Sequence, residues 1–320
     1  MICLVFARPF TTVFTTGSTR RLVAGDVSVV VVTWNALPWL ERCLDSVRGH
    51  ETVVVDHGST DGTLELVASR YPDVGLIRQE NLGMGAGNNA GLRATRGRYA
   101  FLLNPDAWVV GDSLARLVAF ADEHPEAAVV GPRLTNPDGT LQRSARGDPT
   151  LWGLATEYLF IRKLAPRSGL LNPLYAGGFG HDETRAVDWV SGAALLVRRR
   201  AMEAVGLFDE DFFMFSEEAD WQYRFRRAGW SVLFYPGAEV VHVGGASHSG
   251  RLYVENLRGH LRFLAKHRGV QQAEHARALL LWSLRVRALV YRGERARAYR
   301  EGARFLASGD VPSLLARERA

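Results

Sequence analysis

The sequence predicts an α/β chain built on a mostly parallel sheet. Three observations carry that prediction. Short, nearly uninterrupted apolar runs occur at 27–33, 52–56 and 100–103, as expected of strands buried on both faces. Helical periodicity fills the intervals between them. Each run stops at a polar cluster: Thr33-Trp34-Asn35, Asp56 through Asp61, and Asn104-Pro105-Asp106. Strand ends of a parallel sheet share one edge, and ligands of open α/β sheets bind there.

The elements follow in order. Val27–Thr33 is a β-branched first strand, and Leu40, Leu44 and Val47 mark one face of a helix over about 38–47. A second strand spans 52–56, and its polar turn offers Ser, Thr and Asp caps to a helix over about 63–70. A short strand at 74–77 precedes Gly83-Met84-Gly85-Ala86-Gly87-Asn88-Asn89, which opens another helix. The strand ending at Leu103 is terminated by Pro105. A helix over 113–124 and a strand at 128–130 come next. The pattern weakens from Gly131 to Arg185, where loops covering the site are expected around a helix at 151–160. A strand is predicted over 187–197 with Ser191-Gly192 inside it, where Gly marks a close approach. A helix at 199–205, a helix ending near Gly229, and strands at 232–235 and 239–243 complete this part. Helical periodicity then runs from Arg251 almost to the end. The expected organisation is a leader over 1–25, disordered and free of acids, a main α/β domain over 26–250, and a basic helical extension over 251–320.

Bulk composition narrows the function classes. The chain has 320 residues and a net charge of +5. Residues 251–320 hold 15 Lys and Arg against 6 Asp and Glu, a net of +9, leaving −4 for residues 1–250. A near-neutral body with a basic tail points to an anionic surface. The tail lacks the interleaved aromatics of a single-strand binder, so no nucleic acid is expected. Over 276–292, Arg277, Arg285 and Arg292 share one helical arc, and apolar residues fill much of the rest. That pattern suits peripheral membrane contact, with packing on the main α/β domain as its rival. Two cysteines, Cys3 and Cys43, make neither a disulfide framework nor a zinc site. With no apolar span and no secretory signal, the expected location is cytoplasmic, peripheral on the inner face of the membrane.

Candidate chemistry lies in four places. Asp106, just beyond a strand, is placed to hold a divalent cation against a phosphate, with His242 as a second ligand. Gly85-Ala86-Gly87-Asn88-Asn89-Ala90 matches G-x-G-x-x-A, but a dinucleotide fingerprint should follow the first strand directly. Its glycines would instead cradle a phosphate or admit a sugar. Glu217, Glu218 and Asp220 lie among Phe208, Phe212, Phe213, Phe215 and Trp221, a setting that raises a general base's pKa. Residues in a helix starting near Ser216 are ~100° apart, so Glu217 and Asp220 share a face and Glu218 points elsewhere.

These segments together resemble family-2 glycosyltransferases of the GT-A fold, near the rhamnosyltransferase-like branch. The carriers are VSVVVVTWN (27–35), VVVDHGSTDGT (53–63), ENLGMGAGNNAGL (80–92), FLLNPDA (101–107), VDWVSGAALLVRR (187–199), GLFDEDFFMFSEEADWQYRFRRAGW (206–230) and VVHVGGAS (240–247). The resemblance implies the GT-A (nucleotide-diphospho-sugar transferase) fold, with a mostly parallel central sheet flanked by helices and a C-terminal helical extension. It assigns Thr33, Asn35, Asp56, Gly58, Asp61, Asn89, Asn104 and Asp106 to the nucleotide sugar, with Asp56 at the pyrimidine. Trp189, Ser191 and Gly192 would line the acceptor. Asp106 and His242 would hold Mg²⁺ or Mn²⁺. Glu218 stands at the family's base position, with Glu217 and Asp220 as the other catalytic candidates. His57, Met84 and Glu218 replace a usual Asn or Asp, Phe and Asp, and the longer Glu218 leaves the choice among the three acids open. The implied reaction is inverting transfer from dTDP-rhamnose or a UDP-hexose to a saccharide or lipid-linked acceptor in cell-envelope polysaccharide synthesis. A catalytically inactive sugar-binding protein and an NAD-dependent oxidoreductase are the alternatives.

Overall fold

The computed structural model describes residues 12–14, 26–244 and 250–316. Its strands are β1 (Thr12–Phe14), β2 (Val27–Thr33), β3 (Glu51–Asp56), β4 (Gly75–Arg78), β5 (Tyr99–Leu103), β6 (Ala107–Val109), β7 (Ala127–Thr135), β8 (Leu141–Gln142), β9 (Ala145–Arg146), β10 (Arg185–Ala186), β11 (Trp189–Val190), β12 (Ala194–Arg198) and β13 (Ser231–His242). Its α-helices are α1 (Leu37–Asp45), α2 (Thr63–Arg70), α3 (Met84–Ala94), α4 (Ser113–Glu123), α5 (Leu151–Tyr158), α6 (Arg199–Val205), α7 (Glu217–Arg227), α8 (Gly250–Arg268), α9 (Val270–Val290), α10 (Gly293–Ala307) and α11 (Val311–Leu315).

The main sheet runs β1-β4-β3-β2-β5-β12-β7-β13-β10. The β4-β3-β2-β5 half is parallel, β7 and β13 are parallel to each other, and β12 is antiparallel to both of its neighbours, β5 and β7. Alternate residues of the central strands enter opposite cores. Val29, Val31 and Phe101 pack with Leu40, Leu44 and Leu117, while Val30 and Leu102 pack with Leu195, Val197, Trp221 and Phe234. Both layers are apolar, so these strands read as continuous runs rather than alternating ones.

Several expectations need correction. The strand expected over 187–197 breaks at Ser191–Ala193. β11 pairs with β9 in a separate two-stranded sheet, and β12 enters the main sheet. The strands expected at 232–235 and 239–243 are one strand, β13, with a register irregularity between Tyr235 and Glu239. Within the expected disordered leader, Thr12–Phe14 form β1, antiparallel to the edge strand β4. The rest of that leader lies outside the described residues, as do Gly245–Ser249, the first three of which end the last family segment. The C-terminal helical run is divided at Gly269 and Gly293, both with positive φ (91° and 64°). Its helices share a core with Leu154 and Tyr158 of α5, so residues from 250 onward pack directly on the preceding part.

Candidate active site

The strand ends converge as parallel pairing requires. Thr33 sits opposite Asp56 in the β2–β3 register, and β5 flanks β2 on its other side. The start of β12 reaches the same edge, since the Asn104 N–H donates to the Ala193 carbonyl (3.0 Å) and Ala194 pairs with Leu103. His242 pairs with Ala107 through β13 and β6.

At the first strand end, Asp56 is fully buried. Its Oδ2 accepts from the Gly58 and Ser59 N–H groups (2.9 and 3.0 Å), while its Oδ1 has no partner. The buried Thr33 hydroxyl beside it is also unpartnered. Buried polar atoms are almost always satisfied, so two orphans at one strand edge mark a place for a ligand. Asn35, at φ +51°, ties two loops together. Its N–H donates to Ser59 Oγ (2.8 Å), and its Oδ1 accepts from the Thr60 N–H (2.8 Å). Asp61 accepts from Leu37 N–H and from Thr63 N–H and hydroxyl, so it braces the starts of α1 and α2. The cap expected from the Ser, Thr and Asp of this turn is absent at α2's N-cap, Gly62.

Asn89 and the glycines of α3 act on packing. The Asn89 amide spends its hydrogen bonds on Phe208 (Oδ1 from N–H, 2.9 Å; Nδ2 to carbonyl, 3.0 Å) and on Glu210 (2.9 Å). Any effect on a ligand therefore passes through the 208–210 segment. A Cβ on Gly87 would lie 2.7 Å from His57 Nε2 and from Val32 Cγ1, and one on Gly91 would lie 2.3 Å from Val30 Cγ1. These glycines let α3 sit against β2 and His57.

Asp106 and His242 meet at 3.4 Å (Oδ1 to Nε2). Asp106 Oδ2 accepts from the Gly244 N–H (3.0 Å). Burial pushes its carboxyl up, but His242 and the backbone N–H groups outweigh burial and hold it below its ordinary value. Gln142 orients the imidazole. Its Nε2 donates to Asn136 Oδ1 (2.9 Å) and to the His242 carbonyl (3.3 Å), so its Oε1 faces His242 Nδ1 at 2.6 Å and must receive a proton from it. Nε2 faces Asp106 Oδ1 and lies 3.3 Å from the Asn104 amide nitrogen. A proton or a cation at that nitrogen favours the ionised Asp106. The donor set fits a divalent ion that takes its remaining ligands from phosphate oxygens and water. Among the described residues, no group of three or more His, Cys, Asp or Glu could hold a metal by itself.

The acids of α7 separate by environment. The helix follows Phe215 and Ser216, both at φ +68°, a conformation costing about 1–3 kcal/mol per non-glycine residue and common at functional sites. Ser216 makes no side-chain cap. Asp220 is fully buried and held by Arg224 Nε (2.9 Å), Lys266 Nζ (2.7 Å) and His267 Nε2 (2.7 Å). Burial pushes its carboxyl up, yet His267, Lys266 and Arg224 prevail and keep it below its ordinary value. It is saturated with cations and locks α8 to α7, so a proton-accepting role does not suit it. Glu217 is buried with Oε2 unpartnered, and burial, then the charge of Glu218, raises its pKa well above the usual range. Glu218 is half-buried and packs against Gly192, where an added Cβ would lie 3.6 Å from its Cγ. Burial raises its pKa, against the backbone N–H groups at Glu218, Gly192 and Ala219 and the charge of Arg146. The expected division of faces therefore holds, with Glu217 and Asp220 inward and Glu218 toward Gly192.

Two positioning residues escaped the sequence reading. Gln222 is fully buried; its Oε1 accepts from the Val190 N–H (2.8 Å), and its Nε2 donates to the Val190 carbonyl (2.8 Å). It acts as a strand partner and fixes Trp189–Gly192 beside Glu218. Its place four residues after Glu218 was the available signal. Arg146 stacks on Tyr175 (4.4 Å) with its Nε buried and unpartnered. No local pattern distinguishes it from the other arginines of 131–185. Trp189 donates Nε1–H to the Gly147 carbonyl (2.8 Å), and the Ser191 N–H donates to the Ser144 carbonyl (2.9 Å), so the proposed acceptor strand is tied to β9, which bears Arg146.

Known proteins resemble this chain in sequence and in fold. A Mycobacterium tuberculosis protein named N-acetylglucosaminyl-diphospho-decaprenol L-rhamnosyltransferase is 35% identical over 282 residues, covering 80% of this chain and 88% of its own. The hexosyltransferase Agl10 of Haloferax volcanii, named for low-salt glycan biosynthesis, is 24% identical, covering 70% and 69%. A mannosyltransferase from Pyrobaculum calidifontis, solved with GDP-Man and Mn²⁺, superposes with a TM-score of 0.52 at 19% identity, covering 91% of this chain and 83% of that one. GalNAc-T7, solved with UDP, GalNAc and Mn²⁺, gives 0.55 at 17% identity over 90% of this chain and 55% of that one. The fold is therefore GT-A. The profile described as Glycosyl transferase family 2 matches residues 28–179, the stretch that supplies the Asp56 and Asp106 strand ends. Together with the extended mycobacterial match, this makes the chain a member of glycosyl transferase family 2.

Proposed function

We propose that this glycosyltransferase is a rhamnosyltransferase-type enzyme of cell-envelope polysaccharide synthesis. Its donor is dTDP-rhamnose, with a UDP-hexose as the next choice, and its acceptor is a lipid-linked saccharide hydroxyl. The observation that carries the chemistry is the pair of unlike carboxylates on one sheet edge. The Asp106 carboxyl is held below its ordinary value beside His242, and that of Glu218 is raised above its own beside Gly192. The 35% match to a named rhamnosyltransferase supports the sugar and the class of acceptor.

The orphan Asp56 Oδ1 suits the N3–H of a pyrimidine base, and Thr33 suits a neighbouring polar atom of the nucleoside. Asp106 and His242 would hold Mg²⁺ or Mn²⁺, which neutralises charge on a departing nucleoside diphosphate when bound. Glu218 accepts the proton of the acceptor hydroxyl as its oxygen bonds to the anomeric carbon and the bond from that carbon to the diphosphate breaks. A base with a raised pKa is better matched to neutral pH than an ordinary carboxylate. One displacement with one base inverts the anomeric centre, as in inverting glycosidases. Glu217 keeps its proton, since two adjacent buried carboxylates do not both ionise cheaply. Arg146 steadies the ionised form of Glu218. The test is a panel of nucleotide sugars scored for nucleoside diphosphate release with a polyprenyl-diphosphate saccharide acceptor, with and without EDTA. Release from dTDP-rhamnose that EDTA abolishes is expected. Release unaffected by EDTA overturns the metal, and a preference for another donor overturns the sugar.

A further inference from the structure

Helix α9 has two unlike sides. At ~100° per residue, Ala276, Leu280, Ser283, Leu284 and Arg287 fall on the side that packs into the core of the C-terminal helices. Ser283 and Arg287 also donate to backbone carbonyls of α5. The arc flanking it beyond Ser283 carries Trp282, Val286, Leu289 and Val290 at i, i+4, i+7 and i+8. Trp282, Leu289 and Val290 are 60%, 88% and 72% exposed. Single exposed apolar residues are ordinary, but a stripe of this kind marks an interaction surface.

The charge around the stripe has one sign. Arg285 beside it and Arg292 at its end are exposed and make no ion pair among the described residues. No acid occurs from His275 to Arg292. At the C-terminal end of α9, Tyr291 stacks with Phe160 (6.4 Å), and Lys163 Nζ lies 4.7 Å from the same ring. Leu164, 82% exposed, follows it, and residues 161–172 also lack acids.

We propose that this face docks on an anionic lipid bilayer. Leu164, Leu289 and Val290 would enter the acyl boundary, Trp282 would sit at headgroup level, and Lys163, Arg285 and Arg292 would meet lipid phosphates. A second copy of the chain is the poorer occupant, since a two-fold contact through this face would set its cations against one another. The face also adjoins the acceptor side of the site. Arg162, next to Lys163, lies 4.9 Å over Tyr175, the ring on which Arg146 also stacks.

The experiment is flotation of the full chain with vesicles of phosphatidylcholine alone or mixed with phosphatidylglycerol, which requires no assumption about the reaction. The wild type should float with the anionic vesicles and much less with the neutral ones. A Leu289→Asp, Val290→Asp double variant should lose most of the bound fraction. Arg285→Glu with Arg292→Glu should lose the preference for anionic lipid. Both variants should keep nucleoside diphosphate release with a water-soluble acceptor. Failure of the wild type to float overturns the proposal, as does unchanged flotation of the variants. A wild-type dimer that the Leu289→Asp, Val290→Asp variant dissociates in size-exclusion chromatography with light scattering also overturns it, by assigning the face to self-association.

Discussion

Replacing Glu218 with Gln tests the assignment of the base. The substitution keeps the shape of the side chain and an oxygen for the Gly192 N–H, but removes the ability to accept a proton. Loss of a general base costs about 10²–10⁴-fold in rate, or about 3–5 kcal/mol in the barrier. The structure favours the upper half of that range. Glu218 Oε2 is shut from solvent, so water is a poor substitute, and the neighbouring Glu217 is buried on another face of α7. We therefore expect kcat to fall about 10³–10⁴-fold, while donor affinity by calorimetry stays near wild type. In the wild type, kcat/KM should fall as pH drops through the raised Glu218 value, because the protonated acid cannot act as base. Arg146→Gln should move that acidic limb to higher pH, since the guanidinium favours the ionised form. Stability provides an independent readout. Both folded-state pKa values lie above the ordinary 4.5, so the pair favours folding below pH 4.5 and loses that contribution as pH rises through the folded values. Glu218→Gln should thus match or exceed the wild-type Tm at neutral pH, an advantage that fades toward pH 4.5. If Glu218→Gln retains near wild-type kcat while Glu217→Gln or Asp220→Asn loses it, the base has been misassigned.

Other substitutions separate the remaining roles. Asp106→Asn should lower transfer by about 10²–10³-fold, the scale of losing one partner of developing charge, with an unchanged Tm and weaker Mn²⁺ binding by tryptophan fluorescence. Full activity in that variant would exclude its metal role. Asp220→Asn should lower the Tm by several degrees, because removing one member of a buried charge cluster costs about 3–5 kcal/mol. That loss should shrink as pH falls through the depressed Asp220 value, where the wild type itself is protonated. Gly87→Ala should destabilise by about 1–3 kcal/mol through overpacking despite alanine's better helix propensity, whereas Gly85→Ala, whose nearest neighbour is at 3.3 Å, should be milder. Chemical denaturation measures both, and a Gly87→Ala variant that loses only donor affinity would favour the phosphate-cradle reading.

The sequence by itself determined the strands of the parallel half and the polar residues at their ends. A strand covered on both faces admits only apolar side chains, so Val27–Thr33 and Tyr99–Leu103 announce themselves, and parallel pairing then brings Thr33, Asp56 and Asp106 to one edge. It also gave the face division of α7, which is a matter of helical pitch. Only the tertiary structure decided the surroundings of each acid. Asp220 is bound by Lys266 and His267 from α8, and Glu218 lies against Gly192 and near the charge of Arg146 on β9. A carboxylate's pKa depends on burial and on charges within a few ångströms, neither of which is encoded in its neighbours in sequence. The same holds for Gly87, whose packing on β2 and His57 no local pattern reveals, and for α9. Which of its residues are buried was decided only by its packing against α5 and α10, which leaves Trp282, Leu289 and Val290 exposed.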